Sequence, residues 1–338
     1  MNKNHIHKVI YCLLGSVISV IYIYVSLSLP HNFFRDRDVY LVYAESSDKL
    51  LDLYSGLPLY ANEPLFLKIN IFLNHFISAS KIVYLYLFIC LFGMLFLLFK
   101  YSKNIFMFVL GVVLLFLCNY SFHAEFVVLR QTIASIILLF VLSYTRNIKL
   151  ILITSFICFF IHSSFLLITA FLFLYHFLSK FNDKIKSLIV IITSALLGLF
   201  ITVVGKFLGV RQASEDHIVS AVSVGGGAFI CFLSLLIYFL FFYRVDVKLK
   251  NIYDFSILGL SLFVGLYFIN PAAGRLMSTF IFPIVFLLCA KFNKINIILI
   301  FFLLMIFGYL TSQGVTSGMS LNVSFEDLFQ YINMRILQ

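Results

Sequence analysis

Charge is what this 338-residue chain has least of: Asp, Glu, Lys and Arg together make up 11%, against 62% hydrophobic residues and a mean hydropathy of +1.07. That balance excludes a soluble globular protein and points to a polytopic integral membrane protein of the all-α class. The little charge present is mostly basic, 24 Lys+Arg against 14 Asp+Glu, a formal net charge of +10. In a soluble domain such an excess would suggest nucleic acid. Here the basic residues fall in short clusters between apolar runs, the pattern of membrane topology, so no nucleic-acid partner is expected.

Cysteine motifs are also missing. Cys12, Cys90, Cys118, Cys158, Cys231 and Cys289 all lie within apolar runs, with no CxxC and no paired Cys/His spacing, so neither disulfides nor a metal site is expected. No small-residue cleavage site closes the first apolar run, which follows Lys3 and Lys8 and extends to Leu29; it reads as an uncleaved first span. An internal repeat is lacking too, and with it the inverted-repeat signature of many secondary transporters.

What the chain does have is a series of apolar runs: 9–29, 82–99, 104–120, 124–145, 150–162, 163–179, 187–208, 226–243, 254–269, 275–290 and 295–311. A span needs about 17 to 25 residues, fewer where a helix ends inside protein, so about eleven transmembrane helices are expected in one domain covering 1–338. With the N-terminus cytoplasmic, basic clusters at 3–8, 100–103, 146–149, 180–186, 244–250 and 291–294 all face the cytoplasm. Of the 14 acidic residues only Asp183, Asp246 and Asp254 share that side. The assignment requires 150–179 to be two short helices meeting near His162, with Ser163-Ser164 as the break, because one long helix would invert every later basic cluster.

Several ionisable residues then fall at the extracytoplasmic end without help from the positive-inside rule: Arg130, His162, Arg211 and Arg275, with Glu63 and the run Arg35-Asp36-Arg37-Asp38. An intramembrane ionisable group is a functional-site hypothesis. In a helix over 124–145, Arg130 lies about 9 Å from the end at about 1.5 Å per residue. There it could snorkel, pair with Glu125, or act as an anion clamp whose planar fork suits phosphate oxygens; Gln131 adds an amide donor. His162 reads as a core histidine, a general base or a sugar-hydroxyl ligand. Arg275 follows the turn Asn270-Pro271-Ala-Ala-Gly274 at the expected start of a helix. A cation is unfavourable there unless an anion binds or it anchors at the interface. Arg211 sits in a polar loop and could pair with Glu215.

The first extracytoplasmic loop, 30–64, interleaves carboxylates with tyrosines: Asp36, Asp38, Tyr40, Tyr43 and Glu45 begin the series, and Glu63 ends it. Carboxylates accept hydroxyl hydrogen bonds and aromatic rings stack on pyranose faces, so the loop reads as sugar-binding or as solvated with interfacial tyrosines. The tail, 312–338, carries amphipathic spacing at Phe325, Leu328, Tyr331, Ile332 and Ile336, as an interfacial helix would.

Two blocks carry a family resemblance: Leu129-Arg130-Gln131-Thr-Ile-Ala134 in one helix, then, past a short basic turn, Phe160-Ile-His162-Ser163-Ser164. Asp36 with Tyr40, Glu63-Pro64-Leu-Phe66 and Ala273-Gly-Arg275 support them. In these the chain resembles the EpsG-like and Wzy-type polysaccharide polymerases, O-antigen polymerases included, over about residues 36 to 290. Arg211 matches no motif of that family. The resemblance implies a helical bundle like that of the GT-C glycosyltransferases, with a cavity on the extracytoplasmic side of a bacterial inner membrane. It implies a glycosyltransferase joining undecaprenyl-pyrophosphate-linked oligosaccharides, with membrane lipid around it, a chain-length regulator beside it, and no cofactor. Arg130 and Arg275 would stabilise the leaving pyrophosphate without a metal, His162 would accept the proton, and Gln131, Arg211, Asp36, Asp38, Tyr40 and Glu63 would contact substrate. A flippase for lipid-linked sugars, an O-antigen ligase and a membrane O-acyltransferase are the competing readings.

Overall fold

The computed structural model describes residues 3–53, 62–207 and 226–336. Among the described residues every regular element is helical, and the one β pairing is an isolated bridge between Phe34 and Leu321. In chain order the α-helices are α1 (Lys3–Ser28), α2 (Arg37–Leu53), α3 (Pro64–Asn74), α4 (Ala79–Tyr101), α5 (Ile105–Leu117), α6 (Asn119–Phe126), α7 (Leu129–Tyr144) and α8 (Ile148–Phe159). There follow α9 (Ser164–Phe177), α10 (Asp183–Phe207), α11 (Gly227–Phe241), α12 (Lys250–Leu266), α13 (Ala272–Cys289), α14 (Lys294–Ser312), α15 (Val315–Ser320) and α16 (Phe325–Ile336).

Proline placement explains several boundaries. Pro64 is the first residue of α3, Pro30 precedes the short 3-10 turn His31–Phe33, and Pro271 precedes α13. A missing N–H costs nothing where a helix begins. Pro283 alone among the described prolines lies inside a helix, α13, as membrane helices tolerate.

Among the described residues six helices are long and apolar enough to cross a bilayer: Lys8–Ser28, Ala79–Tyr101, Asp183–Val203, Val247–Leu266, Ala272–Cys289 and Lys294–Ser312. A seventh crossing is formed if α5 and α6, bent by 79° at their junction, make one span. About eleven spans are therefore not reached by length. Among the described residues each expected run is helical over most of its length, but α7, α8, α9 and α11 are shorter; the 16 residues of α7 rise only about 24 Å against a hydrocarbon core of about 30 Å. The outer faces nonetheless need lipid. The window of α1 is 17% buried and that of α14 22%, leaving residues such as Leu13, Val20, Ile298 and Met305 exposed, an apolar surface that water disfavours.

Two compact units divide the chain. The first comprises 1–140, 157–163 and 284–338. Within it Tyr11 stacks on Phe99 at 4.5 Å and donates its hydroxyl to the Phe99 carbonyl at 2.7 Å, fastening α1 to α4. Chain ends also meet here: Arg35 N donates to the Ser320 carbonyl at 3.0 Å and Asn322 N to the Phe33 carbonyl at 2.9 Å. The second unit comprises 141–156 and 164–283. In it α10 packs tightly on α12: a Cβ on Gly265 would stand 2.6 Å from the Ile191 carbonyl oxygen, and Ser187 and Ser261 share a buried hydrogen bond of 2.7 Å. Small residues that let backbones approach are the usual device for joining helices in lipid.

One expected helix needs correction, and one alternative for Arg130 is ruled out. The 124–145 run is not one helix: α6 ends at Phe126 and α7 begins at Leu129. Arg130 is therefore in a first helical turn rather than a turn and a half inside. Within the expected 30–64 loop, residues 37–53 fold as α2, kinked at Ser46, which residue type did not announce because charge interrupts its apolar spacing. Glu125 does not pair with Arg130; it is 1% exposed and receives the Tyr22 hydroxyl at 2.7 Å. The 150–179 segment does break in two, between Phe159 and Ser164.

Candidate functional site

Two non-glycine residues among those described have left-handed backbone, Asp36 and Glu63, each with φ 60°. Carbon β crowding makes this region costly, about 1–3 kcal/mol when the surroundings must enforce it. At Glu63 the next residue is Pro64, which further restricts the residue before it. What enforces the bend is visible. The first N–H groups of α3 have no intrahelical acceptor, and those of Leu65 and Phe66 donate to the Phe160 carbonyl at 3.0 and 3.4 Å. In return Ser163 N donates to Glu63 Oε1 at 3.1 Å. The start of α3 and the α8–α9 turn are thus latched to one another in both directions, within the first unit.

The latch aims the Glu63 carboxylate at Arg130. Glu63 Oε2 accepts from Arg130 Nη1, and His162 Nε2 lies 4.0 Å from Oε1. Glu63 is 5% exposed. Burial pushes its carboxyl up from the ordinary 4.5, and the Arg130 guanidinium and Ser163 N–H pull it back down.

Aromatic rings close the remaining faces of Arg130. Its guanidinium carbon stands 4.5 Å from the Tyr43 centroid, 5.5 Å from Phe66 and 5.6 Å from Tyr40. Such rings attract a partly desolvated cation through their quadrupoles. The Arg130 backbone N–H, unpaired at a helix start, donates to the Tyr40 hydroxyl at 3.3 Å. Arg130 Nε is buried without a hydrogen-bond partner. Four segments, α2, α3, the start of α7 and the α8–α9 turn, therefore converge on one guanidinium.

Beside this cluster, Arg37 is 1% exposed and holds the end of α6: its Nε donates to the Phe126 carbonyl at 2.8 Å, and its guanidinium lies 4.8 Å over the Phe34 ring. A cation on a C-terminal carbonyl is favourably placed. Burial lowers Arg37 to about 10.

Arg130, Glu63, His162 and Tyr40 are brought together as described. Gln131 is 3% exposed in the same turn as Arg130. Asp36 and Asp38 are exposed and join no salt bridge among the described residues; the Asp36 carbonyl accepts from Tyr40 N at 3.2 Å. Arg275 belongs to the second unit, exposed in the first turn of α13. Arg211 lies outside the described residues. Sequence reasoning read Tyr43 only as one of the loop's sugar-binding or interfacial tyrosines and Arg37 only as part of an ionisable run, and it assigned no site role to Phe66 or Ser163. Tyr40 and Tyr43 are three apart, so once α2 is known to be helical both rings share a face; Phe66 stands in the same short motif as Glu63. Among the described residues no group of three or more His, Cys, Asp or Glu could hold a metal ion.

Chemically, the arrangement offers a fixed cation with buried donor capacity, a carboxylate that neutralises it, and an imidazole within reach of that carboxylate. No curated protein and no solved structure matches the chain. The family model of the EpsG family matches residues 16–324, nearly the whole length and all of this cluster, and the chain belongs to the EpsG family.

Proposed function

We propose that the protein is a polysaccharide polymerase, a glycosyltransferase that joins polyprenyl-pyrophosphate-linked oligosaccharide repeat units on the extracytoplasmic side of the bacterial inner membrane. Family membership supports a role in polysaccharide biosynthesis at a membrane. The observation that carries the finer reading is the convergence of Arg130, Glu63, His162 and Tyr40 from four segments on one partly buried point. Orientation follows from one helix: Arg130 stands in the first turn of α7, while Arg146 and Lys149 follow its last. Positive-inside topology then puts the Arg130 end outside. The reading brings with it about eleven crossings, the short helices completing the bundle, an extracytoplasmic cavity, and a chain-length regulator as partner.

In the reaction, an acceptor hydroxyl oxygen bonds to the anomeric carbon of the donor glycan as the bond from that carbon to the pyrophosphate oxygen breaks. The hydroxyl proton passes to His162, with Glu63 behind it. Undecaprenyl pyrophosphate leaves, and its growing negative charge meets the Arg130 guanidinium, whose donors are fixed before the reaction begins. Glu63 occupies Arg130 in the resting protein. Pyrophosphate displaces that carboxylate, so the cation is never buried uncompensated and the freed carboxylate turns to the histidine. Asp36, Asp38 and the half-buried Tyr43, on or beside α2, receive sugar hydroxyls and faces, while buried Tyr40 holds Arg130 in place.

The test is reconstitution in liposomes with the host's lipid-linked repeat unit, measuring released undecaprenyl pyrophosphate against new glycosidic bonds. Equal release and bond formation supports polymerisation. Movement of substrate across the bilayer without release indicates a flippase and overturns the reading. Arg275→Ala in the same assay asks separately whether that second cation serves the leaving group.

A further inference from the structure

The second unit contains a cavity of about 220 Å³ that the chemistry above leaves unused, lined on its polar side by Arg146, His176, Ser179, Lys186, Asn251 and Asp254. Three basic clusters far apart in sequence, 146–149, 180–186 and 244–250, supply or adjoin this wall, and the helices α8, α10 and α12 all begin around it. Their first turns direct partial positive charge toward it.

The opposing partial charges are already engaged. Asn251 Nδ2 donates to the last carbonyls of the α7 region, Leu142 O at 3.0 Å and Thr145 O at 2.6 Å, and Arg146 Nη2 donates to Val247 O at 3.0 Å. The carboxylates are engaged too. Asp183 holds Lys186 at 3.1 Å and Lys250 at 3.0 Å, and Asp254 holds Lys250 at 2.9 Å. Lys186, Lys250 and Arg146 thus face two carboxylates, leaving one cation in excess. No carboxylate is within ion-pair distance of Arg146 among the described residues, and His176 and Ser179 have no hydrogen-bond partner there. Lys186 is 8% exposed, its ammonium 4.8 Å over the Tyr175 ring.

The other wall of this small space is apolar, formed by Leu142, Ile148, Ile151, Leu172 and Phe255. Its polar side presents a guanidinium fork, an imidazole, a hydroxyl and a buried ammonium beside one carboxylate, Asp254, that Lys250 already neutralises. That donor set matches the several oxygens of a tetrahedral anion better than the two of a carboxylate. We propose that this cavity binds a phosphate group, carried by an anionic lipid headgroup or present as the free ion. Basic pockets between membrane helices are suited to such headgroups. The site stands apart from the glycosyl-transfer reading, and its test needs no turnover.

Full-length protein in a phosphate-free maltoside detergent is titrated with phosphatidylglycerol and, separately, with inorganic phosphate, the Kd being read from ligand-dependent thermal stabilisation. Saturable stabilisation is expected from at least one. Response to phosphatidylglycerol alone assigns the headgroup; response to both assigns the phosphate ion itself. In Arg146→Ala/His176→Ala the Kd should weaken about tenfold or more, as loss of a charge-assisted bond requires, with the unliganded melting temperature retained. Should the double variant lose its transition, Arg146→Gln, which keeps an amide donor for the Val247 carbonyl, takes its place. No saturable response to either ligand, or an undiminished response in the folded variant, overturns the proposal.

Discussion

Glu63 and Arg130 form a buried ion pair whose acidic partner is held in left-handed backbone and anchored through its other oxygen by Ser163 N at 3.1 Å. The pair is 67 residues apart in sequence, so it ties the start of α3 to the start of α7. It neutralises a cation that the surrounding aromatic rings alone would leave uncompensated.

Removing the acid should therefore cost more than one hydrogen bond. Glu63→Ala leaves the guanidinium buried and the Ser163 N–H without its acceptor, and stability should fall by about 3 kcal/mol. Glu63→Gln keeps an acceptor for Ser163 and should lose less. Thermal unfolding of both variants in detergent measures the difference; an Ala variant as stable as wild type would show that the pair does not hold the fold.

Arg130→Lys keeps the charge and loses the fork. An ammonium cannot serve pyrophosphate oxygens bidentately or lie flat against Tyr43, 4.5 Å from the guanidinium carbon. Glycosyl transfer should drop at least about tenfold, the equivalent of about 1.4 kcal/mol of transition-state stabilisation, while the protein stays folded. Rates measured on protein matched for melting temperature check this. Full activity in the lysine variant would reduce Arg130 to a point charge.

The pH profile should carry an acid limb. Burial raises the Glu63 carboxyl above 4.5, with Arg130 and the Ser163 N–H opposing the rise. A reaction that needs this group ionised is lost as pH falls through the raised value and retained above it. Glu63→Gln has no carboxyl to protonate, so its acid limb should lose the Glu63 component and keep only that of the His162 base. An unchanged limb in the glutamine variant would assign the titration to another group.

Asp36 separates backbone from side chain. Glycine adopts φ 60° without penalty, so Asp36→Gly should be neutral or stabilising, whereas Asp36→Val should destabilise by about 1–2 kcal/mol because a β-branched residue resists that region. If Asp36→Gly keeps its melting temperature but transfers sugar slowly, the exposed carboxylate contacts substrate. If activity is unchanged, Asp36 serves the bend alone.

The membrane class and the helical positions were readable because apolar runs and basic turns are one-dimensional signals. Contacts between the basic turns also uphold the two-helix reading of 150–179: Arg146 reaches Val247 O and Lys250 reaches Asp183 inside the second unit. One straight helix over 150–179 would have carried Arg146 and Asp183 to opposite ends. Span number was less readable, since hydropathy does not register where a helix end is tied to a distant segment, as the Phe160 carbonyl just past the end of α8 is to Leu65 N and Phe66 N. The Glu63 partner of Arg130 was not legible for a related reason. Glu125, five residues away, was one local alternative, but α6 ends between them and turns Glu125 toward Tyr22. Long-range capture by Glu63 depends on a left-handed bend before a proline, which residue type alone argues against.

Glycan chain growth by the purified protein in liposomes, wild type against a folded Arg130→Ala variant, tests the central claim most directly. A ladder of lengthening lipid-linked glycans from wild type that is absent from Arg130→Ala is the expected result. The same ladder from both proteins would contradict a catalytic role for Arg130, and no ladder from folded wild type supplied with its own lipid-linked unit would contradict polymerisation itself.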